Sequence, residues 1–156
     1  MVTSTPMVEV DRARAVASAV VDPEIPVLTI ADLGILRDVA VDGDRVLVTI
    51  TPTYSGCPAM TQIEHDLTEA LERAGLARVE VVVTHQPPWS SDWITGEGRR
   101  KLAEFGIAPP VPMSQVLCPN CRAAGPRLVA RFGSTACKAL MVCDSCGEPF
   151  DLFKEF

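Results

Sequence analysis

Two C-x-x-C pairs near the C-terminal end constrain this chain more than any other feature. Cys118-Pro119-Asn120-Cys121 and Cys143-Asp144-Ser145-Cys146 are separated by 21 residues, and Gly147 follows the second pair. Two residues between thiols make a tight knuckle that points both sulfurs at one ion, and two knuckles complete a tetrahedral site. The favoured reading is a structural zinc ribbon held by Cys118, Cys121, Cys143 and Cys146. A pair of disulfides, a rubredoxin-like iron and an iron–sulfur cluster are the alternatives that a four-cysteine set leaves open. The surrounding residues need such a staple. "RLVARF" and "ALMVC" read as short strands about a turn at Gly133, and strands this short cannot bury enough apolar area alone.

The rest of the chain reads differently. Hydrophobic residues make up 47% of the 156, which is enough for a packed core. Apolar positions Val10, Ala13, Ala17 and Val20 predict a helix over 7–20. "ILRDVAVDGDRVLVTIT" predicts a β-hairpin turning at Asp42-Gly43, with Val46, Val48 and Ile50 on one face. Met60, Ile63, Leu67 and Leu71 share a helical face over 58–74, and Gly75 stops that helix. "RVEVVVT" predicts a third strand, and a short helix ends at Phe105 before Gly106. The expected class is therefore α/β (α+β). A small three-stranded sheet in α-β-β-α-β-α order is followed by a β-rich zinc ribbon. Pro109, Pro110 and Pro112 read as a stiff connector, which places the domains at 1–112 and 113–156.

Charge narrows the function. The net charge is −6, and residues 1–114 hold nine basic and sixteen acidic side chains. A general nucleic-acid surface is not expected from that balance. The start, "MVTSTPMVEVDRARAV", lacks a basic region followed by an apolar run, and no apolar stretch reaches membrane-spanning length, so a cytoplasmic chain is expected. No Gly-rich phosphate loop, G-x-S-x-G or H-E-x-x-H motif is present, and the residues do not compose a self-sufficient enzyme.

Cys57 stands apart from the ribbon. It follows the second strand and precedes Pro58, a favourable first helical residue. A thiol at a helix N-terminus is expected to have a lowered pKa and to attack electrophiles or bind soft metals. The competing reading is an inert, buried strand-end cysteine. Asp22 and Glu24 in "DPEIP" read as turn caps or as helpers to a cation. Cys137 reads as a small buried residue or as an exchange thiol, and Trp89 and Trp93 as a packed corner or a docking surface.

The segments "VDPEIPVLTIADLGIL", "TPTYSGCPAM", "PPWSSDWITGEGRRKLAEFGIAPP" and "FGSTACKALMVCDSCGEPFDLFK" resemble the D-subunit family of the phenylacetyl-CoA epoxidase system. The first part is also similar to the wider SufT-like family, whose members share the D-P-E turn and a cysteine equivalent to Cys57. The resemblance implies an accessory factor in phenylacetate catabolism that assists iron or iron–sulfur centre assembly for a di-iron oxygenase, with Cys57 contacting the iron species transiently. Implied partners are the oxygenase or reductase subunits and iron–sulfur assembly proteins, with a homo-oligomer compatible. A structural or interaction subunit of the epoxidase and a thiol-dependent enzyme are the rival functions. The family pattern includes a further cysteine at the extreme C-terminus. "FKEF" has none, which weakens a mechanism that needs a terminal thiol.

Overall fold

The computed structural model describes residues 6–156, so residues 1–5 used in reading the N-terminus lie outside the described residues. The chain parts into two compact units, Met1–Trp89 and Ser90–Phe156.

In the first unit, α1 spans Pro6–Ser18, β1 Leu36–Asp42, β2 Arg45–Ile50, α2 Ala59–Arg73 and β3 Val79–Val83. The sheet order is β1-β2-β3. β1 and β2 pair antiparallel around the turn at Gly43, whose φ of +62° suits a glycine. β2 then crosses over through α2 to the parallel strand β3. The period-two pattern buries Val46, Val48 and Ile50, and the helical period of α2 buries Ile63, Leu67 and Leu71 completely. Gly75, at φ +83°, ends α2. The segment between α1 and β1 has no helix or strand, as its prolines and Gly34 suggest, but Ile25, Leu28, Ile30 and Leu33 are buried along it.

The second unit contains α3 (Gly96–Glu104), β4 (Ile107–Ala108), β5 (Arg127–Ala130), β6 (Lys138–Val142) and β7 (Pro149–Phe153). Its sheet order is β4-β7-β6-β5. β5, β6 and β7 run antiparallel, whereas β4 joins β7 in parallel. A Cβ at Gly133, in the turn between β5 and β6, would lie 2.5 Å from Asp151 Oδ1 and would push that carboxylate aside. No helix among the described residues is long and apolar enough to cross a membrane.

The division at Trp89/Ser90 differs from the expected one at 112/113. Part of the proline segment is packed, with Pro110 buried, Pro109 partly covered and Pro112 exposed. Ile107 and Ala108 are buried and paired with Asp151 and Leu152. Arg99 Nη1 donates to the Pro110 carbonyl at 2.7 Å, and Ser91 N donates to the Phe156 carbonyl at 3.1 Å. The Ser91–Phe156 bond and the β4–β7 pairing tie residues 90–112 to the ribbon, while the Arg99–Pro110 bond holds the proline segment to α3. A fragment of residues 90–156 should therefore fold with metal as a complete unit. A fragment of residues 113–156 should melt about 10 °C or more lower, having lost the burial of Ile107 and the β4–β7 pairing. Equal melting temperatures would return the boundary to Pro112.

Candidate metal centre and thiol site

The two C-x-x-C segments adopt the same local backbone. Cys118 N donates to the Ala123 carbonyl at 2.9 Å and Arg122 N to the Cys118 carbonyl at 2.8 Å. Cys143 N donates to the Glu148 carbonyl at 2.9 Å and Gly147 N to the Cys143 carbonyl at 2.8 Å. The fifth residue of each knuckle is left-handed, with φ of +67° at Arg122 and +78° at Gly147. Gly147 thus serves its conformation. It does not make room for a close approach, because a Cβ there would meet nothing within 4 Å.

The knuckles bring four sulfurs together. Cys118 and Cys146 are 3.8 Å apart, Cys121 and Cys143 are 3.6 Å apart, and all four sulfurs lie within 4.8 Å of one another. A tetrahedron with metal–sulfur bonds of about 2.3 Å has edges of about 3.8 Å, so this donor set fits a four-coordinate metal. Each knuckle supplies one buried sulfur, Cys118 or Cys143, and one exposed sulfur, Cys121 or Cys146. The Glu148 amide and then the Asn120 side chain pull the Cys146 thiol down to about 7. Although the Ala123 amide pulls the other way, desolvation and the three neighbouring sulfurs push Cys121 up to about 12. Four thiolates are favoured together only around a cation, which offsets their mutual repulsion.

Cys57 is placed at the other candidate site, in the first unit. Its amide donates to the Tyr54 carbonyl and its carbonyl accepts from Met60 N, so it sits in the turn that opens into α2. It is half-buried. The expected lowering of its pKa is not found. Burial raises it, and the carboxylates of Glu24 and Asp22 add to the rise. Hydrogen bonds from the Ala59 amide and the Tyr54 side chain oppose it only in part. The fold thus brings Cys57, Asp22 and Glu24 into electrostatic reach. Asp22 is buried and caps its own turn, with Oδ1 accepting from Glu24 N at 2.7 Å and Ile25 N at 2.9 Å. Tyr54 joins this site without a motif to mark it, and only its position three residues before Cys57 hints at the contact.

Two other candidates are placed elsewhere. Cys137 is buried, its Sγ lies 3.0 Å from Thr135 Oγ1, and it is not one of the four clustered sulfurs. Trp89 is buried, and its indole N–H donates to the Leu33 carbonyl at 2.8 Å. It is a packed anchor and not a docking side chain, whereas Trp93 is only partly covered. His65 and His85 are both exposed.

Two expectations follow from these geometries. Gly147→Ala should weaken metal retention by roughly fivefold in chelator competition, from a left-handed backbone cost of about 1 kcal/mol, while Arg122→Gly should retain metal at least as well as the parent chain. Equal losses in both variants would remove the conformational explanation. Cys57 should alkylate more slowly than free cysteine at pH 7.5 but faster than Cys137, and its rate should keep rising above pH 9 as the thiolate forms. A rate that levels off below pH 8 would contradict the raised pKa.

Comparison with known proteins connects the two sites. Residues 11–83 match the iron–sulfur cluster assembly protein family, and residues 110–154 match the PaaD zinc beta ribbon domain. The chain is 46% identical over 153 residues to an Escherichia coli (strain K12) protein provisionally named as the D subunit of 1,2-phenylacetyl-CoA epoxidase. That match covers 94% of this chain and 93% of the relative. An iron–sulfur cluster carrier protein of Synechocystis is 34% identical over 83 residues, which are 53% of this chain and 23% of that protein. The crystal structure of a domain of unknown function, DUF59, from Bacillus anthracis superposes with a TM-score of 0.58 at 30% identity, covering 62% of this chain and 93% of that one. A conserved hypothetical protein of Thermotoga maritima gives 0.50 at 31% identity, covering 59% and 91%. Because the identity runs along nearly the whole of both chains, the chain belongs to the D-subunit family of phenylacetyl-CoA epoxidase.

Proposed function

We propose that this protein is a cytosolic accessory factor that assists iron or iron–sulfur centre assembly in a phenylacetyl-CoA epoxidase system. In this reading Cys57 holds the iron species in transit, with Asp22 and Glu24 as neighbouring carboxylates. Cys118, Cys121, Cys143 and Cys146 hold one structural zinc. One observation carries the reading. A domain of the iron–sulfur assembly family and a four-sulfur ribbon are joined in a chain that matches an epoxidase subunit throughout.

The chemistry of the two sites supports a division of labour. Four sulfurs fill a tetrahedral shell and leave no position for substrate, so the ribbon site is structural. Cys57 is a single half-buried thiol that burial holds in its protonated form near neutral pH. Such a thiol is a weak free nucleophile, which disfavours the thiol-enzyme reading. A cation bound there displaces the proton, and the two nearby carboxylates favour its positive charge. Hard carboxylate and soft thiolate donors together suit iron as a passing cargo.

The test is co-expression of the epoxidase subunits with the parent chain, without it, and with Cys57→Ser. The Ser variant should keep its fold and about one zinc per chain, yet leave the oxygenase or reductase deficient in iron and less active. Full metallation and activity with the Ser variant would remove Cys57 from the mechanism. Full metallation without any copy of this chain would overturn the assembly reading itself. Stable one-to-one co-purification combined with that result would instead favour a structural subunit.

A further inference from the structure

β5 ends the four-stranded sheet, so its outer backbone edge is unpaired among the described residues. Leu128, Val129 and the adjacent Phe132 are 43%, 51% and 67% exposed, an unusual apolar cluster for a strand edge. Beside the strand is a groove of about 380 Å³. Ala139 and Leu152, directly paired across β6 and β7, contribute to it from the sheet, and Leu128 adds to it from β5. Phe132 and Met113 also line it. Lys154 stands 4.0 Å from the centre of the Phe132 ring, and Arg131 lies on the same groove. Two cations thus border an apolar hollow, with Glu155 as the one acidic lining residue.

We propose that the outer edge of β5 and its groove dock an extended segment of a partner protein whose groove-facing residues, at every second position, are apolar and acidic in turn. A strand added to an open edge takes its affinity from main-chain hydrogen bonds. Its specificity comes from alternate side chains. Here one side-chain set would fill the groove over Leu128, Ala139 and Leu152. Carboxylates at other positions of that same face would meet Arg131 and Lys154. Charge complementarity selects this occupant over a second copy of the chain. Antiparallel pairing of two β5 strands would bring Arg127 and Arg131 of one copy toward the same arginines of the other. This inference does not depend on the role of Cys57.

The experiment is a selection from a random twelve-residue peptide library on the zinc-loaded full chain, followed by titration of the enriched peptide. The expected consensus places apolar and acidic residues two positions apart, and its binding should shift the amide resonances of Arg127–Ala130. Phe132→Asp should weaken binding by roughly thirtyfold or more, as for a lost interface anchor. Arg131→Glu should weaken it by roughly fivefold and move the selected consensus toward basic residues. Both side chains are exposed, and retained zinc and an unchanged amide spectrum elsewhere would show that the variants fold. No enrichment, a basic or helical consensus with the parent chain, or undiminished binding by folded Phe132→Asp would overturn the proposal. A concentration-dependent dimer abolished by the same substitution would also overturn it, in favour of a second copy.

Discussion

The second unit depends on resolving a conflict among its own sulfurs. Cys118 and Cys143 are buried in the same apolar cluster as Met141, Phe150 and Leu152, and each is within 4.8 Å of three other sulfurs. Buried sulfurs are comfortable as thiols, but four thiolates this close repel one another strongly without a cation. The backbone already holds the four sulfurs in place, because both knuckles carry the same amide–carbonyl bonds and a left-handed fifth residue. A cation held by the four sulfurs would fix two hairpin corners beside a sheet that packs Met141, Phe150, Leu152 and Phe153. The β4–β7 pairing and the Arg99–Pro110 bond extend that order outward to α3.

The first unit solves a different problem with ordinary means. A fully apolar α2 face packs the β2-α2-β3 crossover, and the thiol is left where the chain passes from strand to helix. That junction is the usual place for functional groups in such crossovers, because side chains there stand at the end of a rigid sheet. What distinguishes this one is its acidity. The neighbours of Cys57 make an anion less welcome and a cation more so. The site is better suited to receiving charge than to attacking with it.

Local pattern makes most elements legible. Alternation in 45–50, the helical period in 59–73 and glycines at 43, 75 and 106 are properties of short windows, and the structure follows them. The knuckle spacing, likewise, points to four residues that the fold does bring together. What stays hidden in the sequence is non-local. β4 has only two residues, and its partner lies more than forty positions away. β7 begins with a proline and alternates weakly, so "PFDLF" does not announce a strand. Composition alone cannot distinguish a proline linker from a proline segment packed under an arginine. Trp89 reads equally well as exposed or buried, and what decides is the Leu33 carbonyl, 56 residues away, which gives its indole an acceptor. The pKa of Cys57 departs from the helix-start expectation for the same reason: the helix start is local, but the burial and the carboxylates of the D-P-E turn are not.

The two tryptophans have an optical consequence. The chain has two, and the division at 89/90 leaves one in each unit. Trp89 is enclosed and bonded through its indole nitrogen, while Trp93 is partly covered, so the two differ in how water reaches their rings. Replacing either by phenylalanine leaves a single tryptophan that reports on one half of the molecule. Loss of order in the sulfur-dependent half can then be followed in the emission of one ring while the other half is watched separately, without any added label.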